Sequence, residues 1–286
     1  MRALARRIRD RGRKLGYLRE RWPRPFGTRP PIALAVCAIF RDEARYLAEW
    51  VSFHRIQGVE RFYLYDNRSS DDWRSVLAPE IEAGIVEVQH WPFVPAQLGA
   101  YQHCLEQRRD EARWIAFIDV DEFLFSPTGR PLPEVLREFD LHPGVVVNWR
   151  MYGTSGHKHP PEGLVTESFL MRAPDDLQAN HFVKSIVNPR SALGPQTGHF
   201  FTLRGDPVGE DGRPVRNPIR DSTADLLRIN HYYSKSEEEF RRKSERPAVA
   251  WGKPDSDRFP VPDDAVRDET ILQFAPQLRA LLSSRE

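Results

Sequence analysis

From residue 31 onward, short apolar runs alternate with stretches that are apolar every third or fourth position. Ile32 to Phe40 is an unbroken run of strand length. Ala44, Leu47, Ala48 and Val51 then recur at the spacing of one buried helix face, which predicts a helix from about Asp42 with Gly58 as its stop. Arg61 to Asp66 reads as a second strand, and Ser69, Ser70, Asp71 and Asp72 supply the cap and first-turn acids of a second helix. Ile85 to His90 is a third strand, Ala96 to Arg113 a third helix and Trp114 to Asp119 a fourth strand. Strands separated by helices of about a dozen residues imply right-handed crossovers and a parallel sheet, with the ligand crevice at the carboxyl ends of the strands. Three loops lie at that edge: Arg41-Asp42-Glu43, Asp66-Asn67-Arg68-Ser69 and Asp119-Val120-Asp121-Glu122.

Beyond Pro143 the alternation weakens. Val145 to Arg150, Leu164 to Met171, Phe182 to Val187 and His199 to Leu203 read as strands without clear helices between them, which predicts a mixed or antiparallel half. An amphipathic stretch, Lys235 to Lys243, follows Leu227 to Tyr233, and a helical pattern runs from Ala265 to Leu282. No internal repeat is visible.

Composition places the chain among globular proteins: with 40% hydrophobic and 29% charged residues it is neither disordered nor fibrous. The longest apolar run falls short of the roughly 18 residues that cross a bilayer. Cys37 and Cys104 fall within apolar patterns and read as small buried hydrophobes.

The net charge of +1 hides an asymmetry, because residues 1 to 29 carry eleven Lys or Arg against Asp10 and Glu20. The rest of the chain is therefore acidic, at −8, which argues against nucleic acid as a partner of the body. In the basic arm, Leu4, Ile8, Leu15 and Leu18 share one helical face, a pattern suited to peripheral contact with anionic membrane; a solvated tail is the plainer alternative. The arm lacks the apolar centre of a secretory signal, so a cytoplasmic location is expected, with contact at the inner face of the membrane. Trp22 to Pro31, with four prolines, reads as a linker, giving an arm and linker over 1–31 and one domain over 32–286.

Asp119 and Asp121 stand two residues apart as an apolar strand ends, where an extended backbone aims both to one side. Carboxylates suit Mg²⁺ or Mn²⁺, which keep positions open for water and substrate phosphate. Acids after a strand also serve as turn formers.

Several ordered motifs together resemble the GT-A fold glycosyltransferases of the family 92 and glycosyltransferase 2-like group. They are Phe40-Arg41-Asp42-Glu43 with Tyr46-Leu47-Ala48-Glu49-Trp50, Tyr63 to Ser69, Ile118-Asp119-Val120-Asp121-Glu122-Phe123, Gly153-Thr154-Ser155-Gly156-His157, Leu164-Val165-Thr166-Glu167, Lys184-Ser185-Ile186-Val187 and Asn230 to Ser236. Asp42 departs from the Asn usual there. The resemblance implies a Rossmann-like nucleotide-binding half over 32–142 and a mixed-sheet acceptor half with C-terminal helices over 143–286. It implies a metal-dependent hexosyltransferase in which Asp119, Asp121 and His231 hold Mn²⁺ or Mg²⁺ against the diphosphate of a UDP-sugar. Arg41, Glu43, Asp66 and Asn67 would then meet the nucleoside, and Lys184 and Lys235 the diphosphate. A carboxylate accepts only, so Asp66 would favour a base with a ring N–H.

Glu167 is the first candidate for the base that activates the acceptor hydroxyl, with Asp175, Asp176 and Glu122 behind it; Asp121 is the more direct metal ligand of the pair. His157 and His159 are candidates for the acceptor side, and Trp149 and Tyr152 for stacking on a sugar, although aromatics near a strand end also serve as core. The acceptor would be a glycan or a lipid-linked sugar, and the product inverted. The competing expectations are an inactive carbohydrate- or membrane-binding protein on the same scaffold, and a sugar nucleotidyltransferase, which the lack of a glycine-rich loop after the first strand disfavours.

Overall fold

A computed structural model describes residues 30–245 and 265–285. Its centre is an eight-stranded sheet in the order β3-β2-β1-β4-β8-β6-β11-β5. The first four strands by sequence, β1 (Ile32–Phe40), β2 (Arg61–Asp66), β3 (Val86–His90) and β4 (Ala112–Phe117), are parallel. Helices α1 (Ala44–Ile56), α2 (Trp73–Glu82) and α3 (Gln97–Arg108) connect them. β1 is buried on both faces: Leu34, Val36, Ala38 and Phe40 belong to one apolar cluster, and Ala35, Cys37 and Ile39 to a second that includes Tyr101, Cys104 and Leu105 of α3. That two-sided burial is why β1 reads as a continuous apolar run rather than an alternation.

The later strands reverse direction around β8 (Val183–Val187), which is antiparallel to β4 and to β6 (Gly144–Met151). β11 (Arg228–His231) runs parallel to β6, and β5 (Glu122–Phe125) antiparallel to β11. The expected α/β architecture, a mostly parallel nucleotide-type sheet continued by a mixed one, is therefore present. The start of β8, the end of β11 and the start of β5 consequently meet the carboxyl ends of β1, β2 and β4 at one edge.

Gly58 ends α1 as expected, at φ +93°, and a side chain there would press on Pro133. Asp72 is the N-cap of α2, and α1 borrows its cap from the next loop, the Ala44 amide donating to Asp71 at 2.7 Å.

Some boundaries differ from expectation. The third helix stops at Arg108, and β4 ends at Phe117, so the acidic motif lies in a turn. Leu164 to Met171 is not a strand: Val165–Ser168 forms a helical turn (α5) before the two-residue strand β7 (Met171–Arg172). The cause is Glu49, whose buried carboxylate accepts the amides of Val165 and Thr166 and the Thr166 hydroxyl at 2.7 to 2.9 Å. The C-terminal pattern resolves into β12 (Val266–Arg267), a short 3₁₀ turn and α7 (Ala275–Ser283). Short elements escaped the pattern altogether: α4 (Leu132–Leu136), and β9 (Ala192–Pro195), which pairs with β10 (Phe201–Leu203). Both cysteines are buried and free. The basic arm lies outside the described residues, among which no helix is long and apolar enough to cross a membrane.

Candidate active site

The acidic motif closes on itself. The Glu122 amide donates to the Asp119 carbonyl at 3.0 Å, and the Asp119 amide to the Glu122 carboxylate at 2.9 Å. Trp50 of α1 and Tyr232 after β11 anchor the same turn, donating to the Glu122 and Asp121 carbonyls at 2.8 and 2.9 Å. The extended backbone expected to aim both aspartates alike is thus replaced by a turn, and the two carboxylates meet different partners.

Asp119 accepts from Lys184 Nζ at 2.6 Å on one oxygen, and from Gln97 and Tyr101 of α3 on the other. Lys184 is 1% exposed and also faces Glu122 at 3.5 Å. Burial favours the neutral amine, but Asp119 and then Glu122 outweigh it and hold the lysine charged. Burial pushes the Glu122 carboxyl up, with Lys184 opposing.

Asp121 accepts from Lys243 Nζ at 2.6 Å through Oδ2, while Oδ1 lies 3.5 Å from His231 Nε2. Burial opposes its charge, yet Lys243 and then His231 keep the carboxyl well below its ordinary value. His231 is buried and held neutral by that burial, the form that binds metals, and its Nδ1 has no hydrogen-bond partner. Trp149 lies against it, ring centroids 4.4 Å apart.

Lys235 completes the positive side, 3.1 Å from Glu43 and 3.5 Å above the Tyr46 ring. Lys235, Asp42 and Arg68 all take left-handed backbone at φ 51°, 55° and 62°, a concentration of strained residues at this edge. Asp42 tolerates that conformation as Asn does, and it ties the first two loops together by accepting the Ser70 amide at 2.7 Å. Arg41 lies beside it, 38% exposed.

Asp66 is buried at the end of β2, one oxygen accepting the Ser69 amide at 2.9 Å and the other 3.2 Å from His90 Nδ1. Asn67 donates to the Trp91 and Phe93 carbonyls and straps the loop after β3.

Asp119, Asp121, His231, Lys184, Lys235 and Glu43 are thus brought to one edge. Glu167 is not part of that cluster: both its oxygens accept from Arg279 of α7, at 2.7 and 2.8 Å. Asp175 pairs with Arg150 and Arg172, and His159 with Glu238, while His157 Nε2 lies 3.1 Å from the Ser168 carbonyl. Trp149 and Tyr152 are core residues, and Tyr152 accepts a hydrogen bond from Arg228.

Sequence reasoning missed Lys243, Gln97 and Tyr101. One signal was available for the first: the chain has only six lysines, and three of them, at 184, 235 and 243, converge here. Lys243 is carried by α6 (Glu237–Glu245), whose first turn is fixed by a capping box between Ser236 and Glu239.

No group of three acids, histidines or cysteines placed to hold a metal ion occurs among the described residues. Asp121 and neutral His231 nevertheless fit a divalent ion as a two-ligand set, since such ions complete their shells with water and substrate phosphate. His231 would ligate through Nε2, the nitrogen that already faces Asp121 at 3.5 Å.

Fold and edge together define an α/β protein whose mixed eight-stranded sheet gathers acids, lysines and a histidine at one edge. A family profile described as glycosyltransferase family 92 matches residues 31–249, and the chain belongs to that family. It is 36% identical over 228 residues to a glycosyltransferase family 92 protein of Ricinus communis, covering 77% of this chain and 39% of that protein. A second, from Oryza sativa subsp. japonica, is 31% identical over 218 residues, 74% of this chain and 35% of that one. The chain therefore spans less than two fifths of the length of these curated relatives. Among solved structures, S. aureus TarS aligns with a TM-score of 0.41 at 12% identity, over 74% of this chain and 63% of that one.

Proposed function

We propose that this chain transfers a hexosyl group from a UDP-sugar to a hydroxyl of a glycan or lipid-linked acceptor, with inversion. The observation that carries the reading is the Asp121–His231 pair, flanked by three lysines, at the carboxyl edge of the sheet in a chain of this family. Asp121 and His231 would hold a Mn²⁺ or Mg²⁺ ion, which would supply charge neutralisation to a departing diphosphate. Asp119 orients Lys184, and Lys184 and Lys235 present ammonium groups to phosphate oxygens. Asp66 accepts from the ring N–H of the base, with Arg41, Glu43 and Asn67 shaping the nucleoside end of the site. Glu167 is the proposed base, which requires Arg279 to release it when the acceptor binds. Eleven basic residues in 1–29 support contact with anionic lipid at the cytoplasmic face of a membrane.

Calorimetric titration with UDP, with GDP, ADP and CMP as controls, with and without Mn²⁺, tests the donor site. UDP-selective binding that requires the ion is expected, and its loss in Asp121→Ala; ion-independent or absent binding refutes the reading. Deleting residues 1–29 is expected to abolish sedimentation with anionic liposomes and to spare turnover of soluble acceptors.

A further inference from the structure

Lys243 is an unusual partner for a residue of an ion-binding pair. Its Nζ donates to Asp121 Oδ2 at 2.6 Å, on the carboxylate whose other oxygen faces His231. The lysine side chain is 40% exposed, whereas that of Asp121 is 14% exposed, so the cation reaches the acid from the solvent side. Among the described residues its other contacts are local: the Tyr233 carbonyl at 3.1 Å and the Tyr233 ring at 4.3 Å. The ammonium therefore sits where a cation on Asp121 belongs, on a flexible stem that can leave without disturbing the capping box at the other end of α6.

The charges at the edge make that departure useful. Asp119, Asp121 and Glu43 are matched by Lys184, Lys243 and Lys235, each within 3.1 Å, so the acids and lysines neutralise one another. These three lysines therefore offer a diphosphate no surplus positive charge in this arrangement. A divalent ion on Asp121 would create it twice over, through its own charge and by freeing an ammonium.

Resting on the proposed function, we infer that Lys243 is an exchangeable counter-cation of Asp121. It yields the carboxylate to the divalent ion and turns its ammonium to the donor diphosphate. It thus couples ion binding to nucleotide binding. Without ion it keeps Asp121 paired; with ion it adds a contact to phosphate.

The test compares Mn²⁺ binding by calorimetry, without nucleotide, in wild type, Lys243→Met, Asp121→Asn and the exposed control Lys158→Met. Removing a competing charge in direct contact should tighten Mn²⁺ binding by about tenfold or more in Lys243→Met. The same variant should weaken UDP binding in saturating Mn²⁺, and Lys158→Met should change neither. A second readout uses the wild-type chain: acetylation of Lys243, followed by mass spectrometry, should accelerate several-fold on adding Mg²⁺ and return with EDTA, while Lys158 stays constant. Equal Mn²⁺ affinity in wild type and Lys243→Met, lost in Asp121→Asn, overturns the exchange and leaves the ion site standing. Unchanged Lys243 labelling when Mg²⁺ binds does the same. Absence of Mn²⁺ binding from wild type and Lys243→Met alike removes the ion-dependent reading and this inference with it.

Discussion

Two charged networks in this protein are built differently. Behind β6, β7 and β11, Asp268 accepts from both Arg172 and Arg228 at 2.7 Å, and Arg228 also reaches the Asn230 side chain and the Tyr152 hydroxyl at 2.7 Å each. Burial opposes the Asp268 charge, but Arg228 and Arg172 hold its carboxyl well below the usual range. At the sheet edge, by contrast, lysines take the place of arginines and Asp121 is left with a histidine whose second nitrogen is unpartnered. A guanidinium forks across several acceptors and fixes elements to each other, whereas an ammonium is a point charge on a flexible stem. One network closes the fold; the other leaves cations available for exchange.

The sharpest way to break this contrast is to remove one acid from each network. Asp268→Ala strands two arginines beneath the surface and should cost about 3–5 kcal/mol in denaturant unfolding. Asp121→Ala frees a lysine whose side chain is 40% exposed, so it should cost less than Asp268→Ala while abolishing ion-dependent UDP binding. A large stability loss in Asp121→Ala would make the edge structural and end the comparison.

Lys184 tests the boundary between the two kinds, because it is a lysine buried like an arginine of the other network. Lys184→Met leaves Glu122 and Asp119 without their cation, so a loss of about 2–3 kcal/mol at pH 7 is expected in denaturant unfolding.

Acid should act on the core through His54 and His199, both driven down to about 3, chiefly by burial. Their folded values lie below the unfolded one near 6.5, so the unfolded chain binds more protons and stability rises with pH. It is complete above about pH 6.5 and falls as pH drops toward 3, by about 2 kcal/mol per histidine at pH 5. Thermal melts between pH 7 and 4 check this, and His54→Gln should flatten the slope. Asp268 adds its loss only below about pH 4, the ordinary range of the unfolded carboxyl.

The smallest stability effect is expected at Glu167, whose pair with Arg279 lies at the surface. Glu167→Gln should leave unfolding within about 1 kcal/mol. As the proposed base it should lower turnover by about 10² or more, while Arg279→Met leaves turnover intact. Equal turnover in Glu167→Gln and wild type would return the pair to a surface contact.

The sequence by itself determined β1 and β2 to the residue, the succession of the first four parallel strands and the three loops at the carboxyl ends of β1, β2 and β4. Those features are local, because a strand buried on both faces is a continuous apolar run and each crossover helix carries its own stripe. It also marked Asp119, Asp121, His231, Lys184 and Lys235 through ordered motifs. Only the tertiary structure decided that β8 runs backward and β11 forward, so that Lys184 and His231 arrive at the edge where Asp119 and Asp121 turn. It alone made Val165–Ser168 helical, through a carboxylate more than a hundred residues earlier in the chain. It alone set Lys243 on Asp121, because neither helical periodicity nor charge count can say which distant acid a lysine will meet. Contacts of that range are fixed by how strands order in a sheet, and no single stretch of residues encodes it.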